Sequence, residues 1–210
     1  MRQPQQARSQ DSAAKVLDAA LEILGSQGPA GLTIAAVSEL SGVSNGSIYH
    51  RFGDRRNLLV AAQDRFLAQI EDTWLSRTAA VWDIPDRDIL LGRMIDVFLT
   101  VFPENRLIFQ AFMLSGSDDP NLRQRGTAST RKAAREFTAL LIDRFDATPE
   151  AADSAYRILW GQALSTALFT NTEVTKTPAT PQTRHKHLLK ALQATNHNIT
   201  QPPPTNHQPT

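Results

Sequence analysis

The chain has 210 residues, 41% of them hydrophobic, so it can bury a substantial core as one large domain or two small ones. The absence of cysteine excludes a disulfide framework and a cysteine-ligated metal site, and a formal net charge of +1 gives only weak support for nucleic-acid binding. The first ten residues hold no apolar run of the signal-peptide kind, and no apolar stretch approaches the roughly 18 residues of a membrane span, so we expect a soluble cytoplasmic protein.

The amino-terminal part of the chain predicts an arm and two helices. Residues 1–8 are predicted to be a disordered arm. From 11 to about 26 the apolar residues follow helical spacing, and Gly28-Pro29 ends that segment in the way expected of a helix terminus. Thr33 is a suitable N-cap for a short second helix, which stops at Ser41-Gly42.

A third helix, capped by Ser44, follows a tight turn. Its two large apolar residues, Ile48 and Phe52, are four apart and therefore share one face. Gly42 would take the turn conformation that other residues resist. Two short helices joined by such a turn, with a longer helix before them, are typical of a helix-turn-helix unit. The opposite face of the third helix offers polar side chains to an external partner, namely Asn45, Ser47, Tyr49, His50 and Arg51.

The remainder of the chain predicts only helices. Asp54 is placed to cap a long fourth helix, which can continue to about Trp82 before Pro85 stops it. No segment alternates apolar and polar residues over a useful length, so the predicted fold is all-α, an amino-terminal three-helix unit followed by a helical bundle. Further helices are predicted over 87–102, 104–115, 121–146, 149–171 and 182–194, and the last fifteen residues are predicted to be disordered.

Residues 13–59 carry a recognisable set of side chains at fixed spacing. The set comprises the cap Thr33, the run Gly42-Val43-Ser44, the run Ile48-Tyr49-His50, Phe52, and Arg55 before Leu58-Leu59. It resembles the DNA-binding domain of the TetR family of bacterial transcriptional regulators. The rest of the chain agrees with that family only in being a helical domain of suitable length.

The resemblance implies a homodimer whose carboxyl-terminal domain binds a small molecule. In the family, binding changes the spacing of the two recognition helices and releases the DNA operator. Together with the composition of the two ends of the chain, it predicts four segments: the arm 1–8, a DNA-binding domain 9–56, an effector-binding and dimerisation domain 57–195, and a disordered tail 196–210. A repressor is the expected role, and a transcriptional activator of the same family is the alternative.

Nine residues are predicted to contact double-stranded DNA. The Thr33 hydroxyl and the free amides at its helix end would meet a phosphate, in addition to serving as a plain cap. Asn45 and Ser47 lie where base contacts are usual, and Gly46 lets the backbone approach closely. The full set is Thr33, Ser44, Asn45, Gly46, Ser47, Tyr49, His50, Arg51 and Arg55.

Tyr49 matches the family's tyrosine, which implies contact with a phosphate or a thymine methyl group; a half-buried aromatic brace is the alternative. His50 and Arg51 are predicted to face the DNA backbone, and Arg55 to clamp a phosphate where lysine is common in the family. Ile34-Ala35 stands where relatives often carry a polar or basic contact residue, so the second helix is expected to contribute little to base reading.

The carboxyl-terminal domain predicts an apolar pocket for a small effector. Aromatic side chains at helical spacing serve more often as simple core, which is the alternative for each of them. The basic residues between 123 and 135 are interpreted as a solvated helix face or as a contact for an anionic effector. The predicted ligand-binding residues are Trp74, Arg93, Phe98, Phe102, Phe109, Phe112, Met113 and Trp160.

For dimerisation, the helices at 121–146 and 149–171 are predicted to pack against their symmetry copies as a four-helix bundle. Small residues in the second of these helices would allow close approach. The predicted interface residues are Phe137, Leu141, Tyr156, Leu159, Ala163 and Ala167.

An enzyme is the main competing class. The sequence has no nucleophile elbow, no glycine-rich phosphate loop and no His-x-x-x-His pair, and Asp96 and Glu104 are the only obvious acid–base candidates in the core. His185 and His187 alternate in a polar segment and are not expected to bind a metal. We therefore expect no enzymatic activity, no cofactor and no metal, and a helical adaptor that binds only proteins would not explain the polar recognition face.

Overall fold

The computed structural model describes residues 3–177 and 179–195, without the side chains of 3–8, 102, 103 and 171. All regular structure in this part of the chain is helical, which confirms the predicted fold class. The helices are α1 (Gln3–Gly31), α2 (Ile34–Ser41), α3 (Asn45–Phe52), α4 (Arg55–Ala79), α5 (Arg87–Glu104), α6 (Arg106–Asp118), α7 (Pro120–Phe145), α8 (Pro149–Leu168), α9 (Asn171–Val174) and α10 (Pro181–Thr195).

The first helix differs from the prediction at its start. It begins at Gln3, so 3–8 is helical where a disordered arm was predicted; glutamine, alanine and arginine in this segment all favour helix. At its other end Gly28 interrupts the helix with φ 69° and ψ −170°, as the Gly28-Pro29 signal predicts. Residues 1–2 and the predicted disordered tail, 196–210, lie outside the described residues.

Gly42 forms the turn between α2 and α3. Its φ of 69° and ψ of 11° lie in the left-handed region, and its amide donates to the Ser38 carbonyl at 3.0 Å. A side chain at this position would be strained, because L residues avoid positive φ. By contrast, Gly46 lies inside α3, and a Cβ added to it would meet no atom within 4 Å.

These two glycines give a matched pair of substitutions. We expect Gly42→Ala to lower the free energy of unfolding by about 1 kcal/mol, and Gly46→Ala to raise it by roughly 0.5–1 kcal/mol, because glycine is a poor helix former. Urea denaturation of both variants at one protein concentration measures the difference. Equal effects of the two substitutions would contradict the assigned turn.

One hydrophobic cluster joins the helix-turn-helix unit to the rest of the chain. It contains core residues of α1 to α4, such as Leu24, Val37 and Ile48, together with Phe112 of α6 and Leu122 of α7. Helix α1 packs closely along α6, where a Cβ added to Gly25 would lie 3.4 Å from Ile108 Cγ1. The predicted boundary at 56/57 is therefore crossed by continuous apolar packing.

A second cluster fills the carboxyl-terminal half and corrects the predicted dimer residues. Its members come mainly from α5, α7, α8 and α10. Five of the six predicted interface residues belong to this cluster, and the sixth, Ala167, is 1% exposed. Each is at most 5% exposed within one chain, so none has surface left to meet a second copy. The six are Phe137, Leu141, Tyr156, Leu159, Ala163 and Ala167, and they pack the core because apolar and small side chains suit both environments.

No individual helix in the described part of the chain is both long and apolar enough to cross a membrane. One bent pair, Arg87–Val101 with Arg106–Asp118 at 67°, meets the length and composition requirement only when the two helices are taken together. Most of the apolar residues of α5 are buried in the second cluster.

Candidate DNA-binding surface and ligand cavity

Helix α3 is held by two apolar side chains and displays a polar face. Ile48 is 1% exposed and lies in the first cluster, while Phe52 is half-buried beside it. The opposite face is open, and Tyr49 is 55% exposed. All nine predicted DNA-contacting residues, from Thr33 to Arg55, are exposed.

The starts of α2 and α3 are capped as the sequence predicts. Thr33 Oγ1 accepts a hydrogen bond from the Ala36 amide at 3.0 Å. Ser44 Oγ accepts from the Ser47 amide at 3.3 Å and lies 2.9 Å from Ser47 Oγ. Each cap orders the first turn of its helix at the surface, where free backbone amides suit an anion such as a phosphate. Ile34 is buried, so only the other face of α2 is accessible.

Two of the predicted DNA-contacting arginines have partners within the chain. Arg51 Nη1 donates to the backbone oxygen of Ser9 at 2.8 Å and to its hydroxyl at 3.0 Å. Arg55 donates from Nε to the Leu32 carbonyl and from Nη2 to the Pro29 carbonyl, both at 2.5 Å. Arg55 therefore ties the start of α4 to the segment between α1 and α2, a structural role that the sequence reading did not include.

A cavity of about 630 Å³ lies between α4, α6, α7 and α8. Its size falls within the range of small-molecule sites, and its wall is mostly apolar. Four predicted ligand residues line it, namely Phe109, Phe112, Met113 and Trp160.

The other four predicted ligand residues lie elsewhere. Trp74 and Phe98 line a smaller adjoining space of about 70 Å³ that shares Trp160 with the main cavity. Arg93 is exposed on α5, 3.8 Å from Asp96, and lines neither space. The side chain of Phe102 lies outside the described residues.

The sequence did not predict the four cavity residues on α4, namely Gln63, Phe66, Leu67 and Ile70, of which the first two are buried. Phe66 is 2% exposed and stacks on Phe112, with ring centroids 5.6 Å apart. Gln63 is 4% exposed and donates from Nε2 to the Leu122 carbonyl at 3.0 Å. The available signal for Gln63 was its position: a polar residue four after Leu59 falls on the apolar face of the helix.

Three ion pairs connect α4 to α7 along the cavity. Arg125 pairs with Asp64, and Lys132 pairs with Glu71. At the end nearest α3, Arg56 binds Asp119 with two of its three side-chain nitrogens, Nε to Oδ2 at 2.6 Å and Nη2 to Oδ1 at 3.0 Å. Asp119 also caps α7 by accepting from the Asn121 amide at 2.9 Å. The basic face of α7 is thus partly paired with α4.

The Arg56–Asp119 pair predicts a pH-dependent stability. Hydrogen bonding to Arg56 lowers the pKa of the Asp119 carboxyl below its ordinary value. A carboxyl with a lowered pKa in the folded state stabilises the fold above its ordinary pKa of about 3.9 and loses that contribution as the pH falls. We expect Asp119→Asn, which keeps the cap, to reduce the free energy of unfolding near pH 7 and to have little effect in acid.

Denaturation of the wild-type protein and of Asp119→Asn at pH 7 and at about pH 3 measures how their difference in the free energy of unfolding depends on pH. The same substitution in an Arg56→Gln background serves as the control, since there the pair is already broken. A difference that is independent of pH would show that the ion pair does not contribute.

The two acid–base candidates for an enzyme, Asp96 and Glu104, line one cavity of about 480 Å³ together with His185, and each has a side-chain partner. Asp96 Oδ1 lies 2.6 Å from His185 Nδ1, whereas Glu104 pairs with Arg77 at 2.7 Å. Within the part of the chain that the structure describes, no group of three or more potential metal ligands occurs.

Comparison with known proteins shows that the chain is similar to bacterial transcriptional regulators. Residues 16–62 match the model described as bacterial regulatory proteins, tetR family. The HTH-type transcriptional regulator CymR of Pseudomonas putida is 28% identical over 164 residues, which cover 76% of this chain and 77% of CymR. The HTH-type transcriptional regulator BetI of Burkholderia mallei (strain NCTC 10229) is 27% identical over 125 residues, 57% of this chain, and the match spans 62% of BetI.

Solved structures share the fold along most of the chain. A tetR-family transcriptional regulator of Mesorhizobium loti MAFF303099, described as putative in its structure report, has a TM-score of 0.70 at 15% identity, covering 90% of this chain and 96% of that one. The multidrug binding protein EbrR complexed with malachite green has a TM-score of 0.61 at 24% identity, covering 88% and 97%. At these identities the likeness concerns the fold.

Proposed function

We propose that this chain is a TetR-family transcriptional regulator that binds double-stranded operator DNA as a cytoplasmic homodimer. The proposal depends on the exposure of α3. Ile48 anchors this helix in the core and its polar face is open, while Thr33 and Ser44 cap the starts of α2 and α3. A short helix held in this way can enter the major groove of B-DNA.

On this surface each side chain has a chemical role. Asn45 and Ser47, in the first turn of α3, contact base edges, and an asparagine can bind adenine through two hydrogen bonds. Tyr49 and His50 contact the sugar-phosphate backbone, with Tyr49 also able to pack on a thymine methyl group. The capped end at Thr33 fixes the orientation of the protein by binding a phosphate.

The cavity supplies a route from effector to DNA. Gln63, Phe66 and Ile70 of α4 form part of its wall, and α4 begins three residues after α3 ends. A molecule placed between α4 and α7 would shift α4, strain its ion pairs with α7, and move α3 with it. We propose that a small, largely apolar effector weakens operator binding in this way, so that the protein acts as a repressor. EbrR, which shares the fold, is described as a multidrug binding protein.

The test begins with selection of bound sequences from a random duplex library. Two recognition helices related by two-fold symmetry should select inverted half-sites about one helical turn apart, roughly 34–36 Å. Mobility shift with the selected duplex should then show a steep loss of affinity between about 50 and 200 mM salt, because phosphate contacts release counterions. Absence of binding at low salt would overturn the proposal, and sedimentation of the free protein checks the dimer.

A further inference from the structure

The cavity contains a polar atom without a partner. Nε2 of Gln63 donates to the Leu122 carbonyl at 3.0 Å, which fixes the orientation of the amide. Oε1 is buried and accepts no hydrogen bond from any described residue. A buried acceptor in this condition costs free energy, and most such atoms in proteins have a partner. Gln63 lines the cavity, so a ligand can supply the missing donor.

The surroundings of Gln63 define the rest of the ligand. Beside it on α4, and opposite on α6 and α8, the wall is aromatic, with Phe66, Phe109 and Trp160. Flat aromatic ligands suit such walls because edge-to-face and stacked contacts between aromatic rings are energetically favourable. The charged side chains of the wall are Arg123 and Arg131, both on α7, and no described carboxylate lines the cavity. The main cavity therefore offers a cation no carboxylate, and the two carboxylates of the adjoining space, Glu71 and Glu136, are both paired with Lys132.

We propose that the effector is a mainly aromatic molecule, not cationic, whose O–H or N–H donates to Oε1 of Gln63. This rests on the proposed function, because it specifies the ligand of the same cavity. The terminal torsion of glutamine is soft, so a small rotation turns Oε1 toward the ligand while Nε2 keeps its bond to Leu122. Gln63 is then the residue that selects for a donor.

The test uses three biphenyl probes of similar size. 4-Phenylphenol carries a donor, 4-methoxybiphenyl has the same shape but none, and 4-phenylbenzylamine carries donors and a positive charge. Quenching of the tryptophan fluorescence, to which Trp160 in the cavity wall contributes, reports binding to the full-length protein. We expect the phenol to bind about 10-fold or more tightly than either of the others, since a buried acceptor left unpaired is costly.

Variants assign the effect to one side chain. Gln63→Met removes the acceptor at nearly constant length, together with the Nε2 bond to the Leu122 carbonyl. The phenol should then bind about as weakly as the ether, whose affinity should not change. Gln69→Met, the same substitution at an exposed position of α4, should leave all three affinities unchanged. If Gln63→Met does not fold, the difference between the phenol and ether affinities of the wild-type protein still tests whether the ligand donates a hydrogen bond.

Equal affinities of phenol and ether would overturn the role of Gln63, and equal binding of the amine would overturn the charge preference. Failure of all three probes to bind the folded protein would overturn the aromatic ligand class. Operator binding is measured without any probe, so these failures are distinguishable from failure of the proposed DNA-binding function.

Discussion

Replacement of Tyr49 by alanine should weaken operator binding by about 30-fold or more. The ring is 55% exposed on the open face of α3, which favours an outward contact over the half-buried brace that the sequence allowed. A recognition contact is worth on the order of 1–3 kcal/mol, and a dimer loses it twice, so the total loss is roughly 2–6 kcal/mol. Mobility shift with the selected duplex measures this change.

The stability of the Tyr49→Ala variant should change by less than about 0.5 kcal/mol, as for most surface substitutions. Tyr49→Phe separates the two contacts that the tyrosine can make, because phenylalanine keeps the contact with a thymine methyl and loses the hydroxyl bond to a phosphate. Retention of full affinity by Tyr49→Ala would show that the recognition face is assigned wrongly.

Arg55→Ala should behave differently from Tyr49→Ala. The guanidinium of Arg55 donates hydrogen bonds to the Leu32 and Pro29 carbonyls. Loss of these bonds should lower the free energy of unfolding by about 1–3 kcal/mol, in addition to any loss of DNA affinity. The sequence predicted only a phosphate contact at this residue. A substitution that weakens DNA binding through Arg55 therefore needs a stability measurement before it is assigned to the interface.

Local chemistry was sufficient to predict every helix except the short α9, and most of the helix ends. Asp54 caps α4 by accepting from the Asn57 amide at 2.7 Å, and Thr148 caps α8 by accepting from the Ala151 amide at 3.2 Å. Asp119 and Pro120 begin α7 as their residue types predict. These signals involve residues within a few positions of each other, so one sequence contains them completely.

Partners distant in the chain could not be predicted in the same way. Arg51 binds Ser9 and Arg56 binds Asp119, which are 42 and 63 residues away, and nothing in the sequence specifies these pairs. The predicted dimer residues failed for another reason. Leu159 and Ala163 have the composition of an interface and of a core alike, and only the packing of α5, α7 and α8 shows that they are internal.

Phe66→Ala should be the most destabilising single substitution of those considered, at about 3–5 kcal/mol. Phe66 is 2% exposed, meets Phe109 edge-on at 4.9 Å and stacks on Phe112 at 5.6 Å. Since domains are typically stable by only about 5–15 kcal/mol, this loss is a large fraction of the total. Urea denaturation at a fixed protein concentration measures it, because the stability of a dimer depends on concentration.

Trp82→Ala provides the control. This aromatic ring is 39% exposed, so its removal should lower the free energy of unfolding much less than removal of Phe66. Similar losses for the two variants would contradict the assigned core.

Phe66 also determines whether the two halves of the chain unfold together. Its cluster contains Ile48 of α3 as well as Phe112 and Leu122, so removal of the ring loosens the joint between the recognition unit and the bundle. The tryptophans of the chain all lie after residue 56, so their fluorescence reports the bundle, whereas helical circular dichroism reports the whole chain.

In the wild-type protein the two signals should change at the same urea concentration, because continuous apolar packing makes unfolding cooperative. In Phe66→Ala they should separate, with circular dichroism changing first; coincident transitions in the variant would mean that α1 packing on α6 is sufficient to couple the halves.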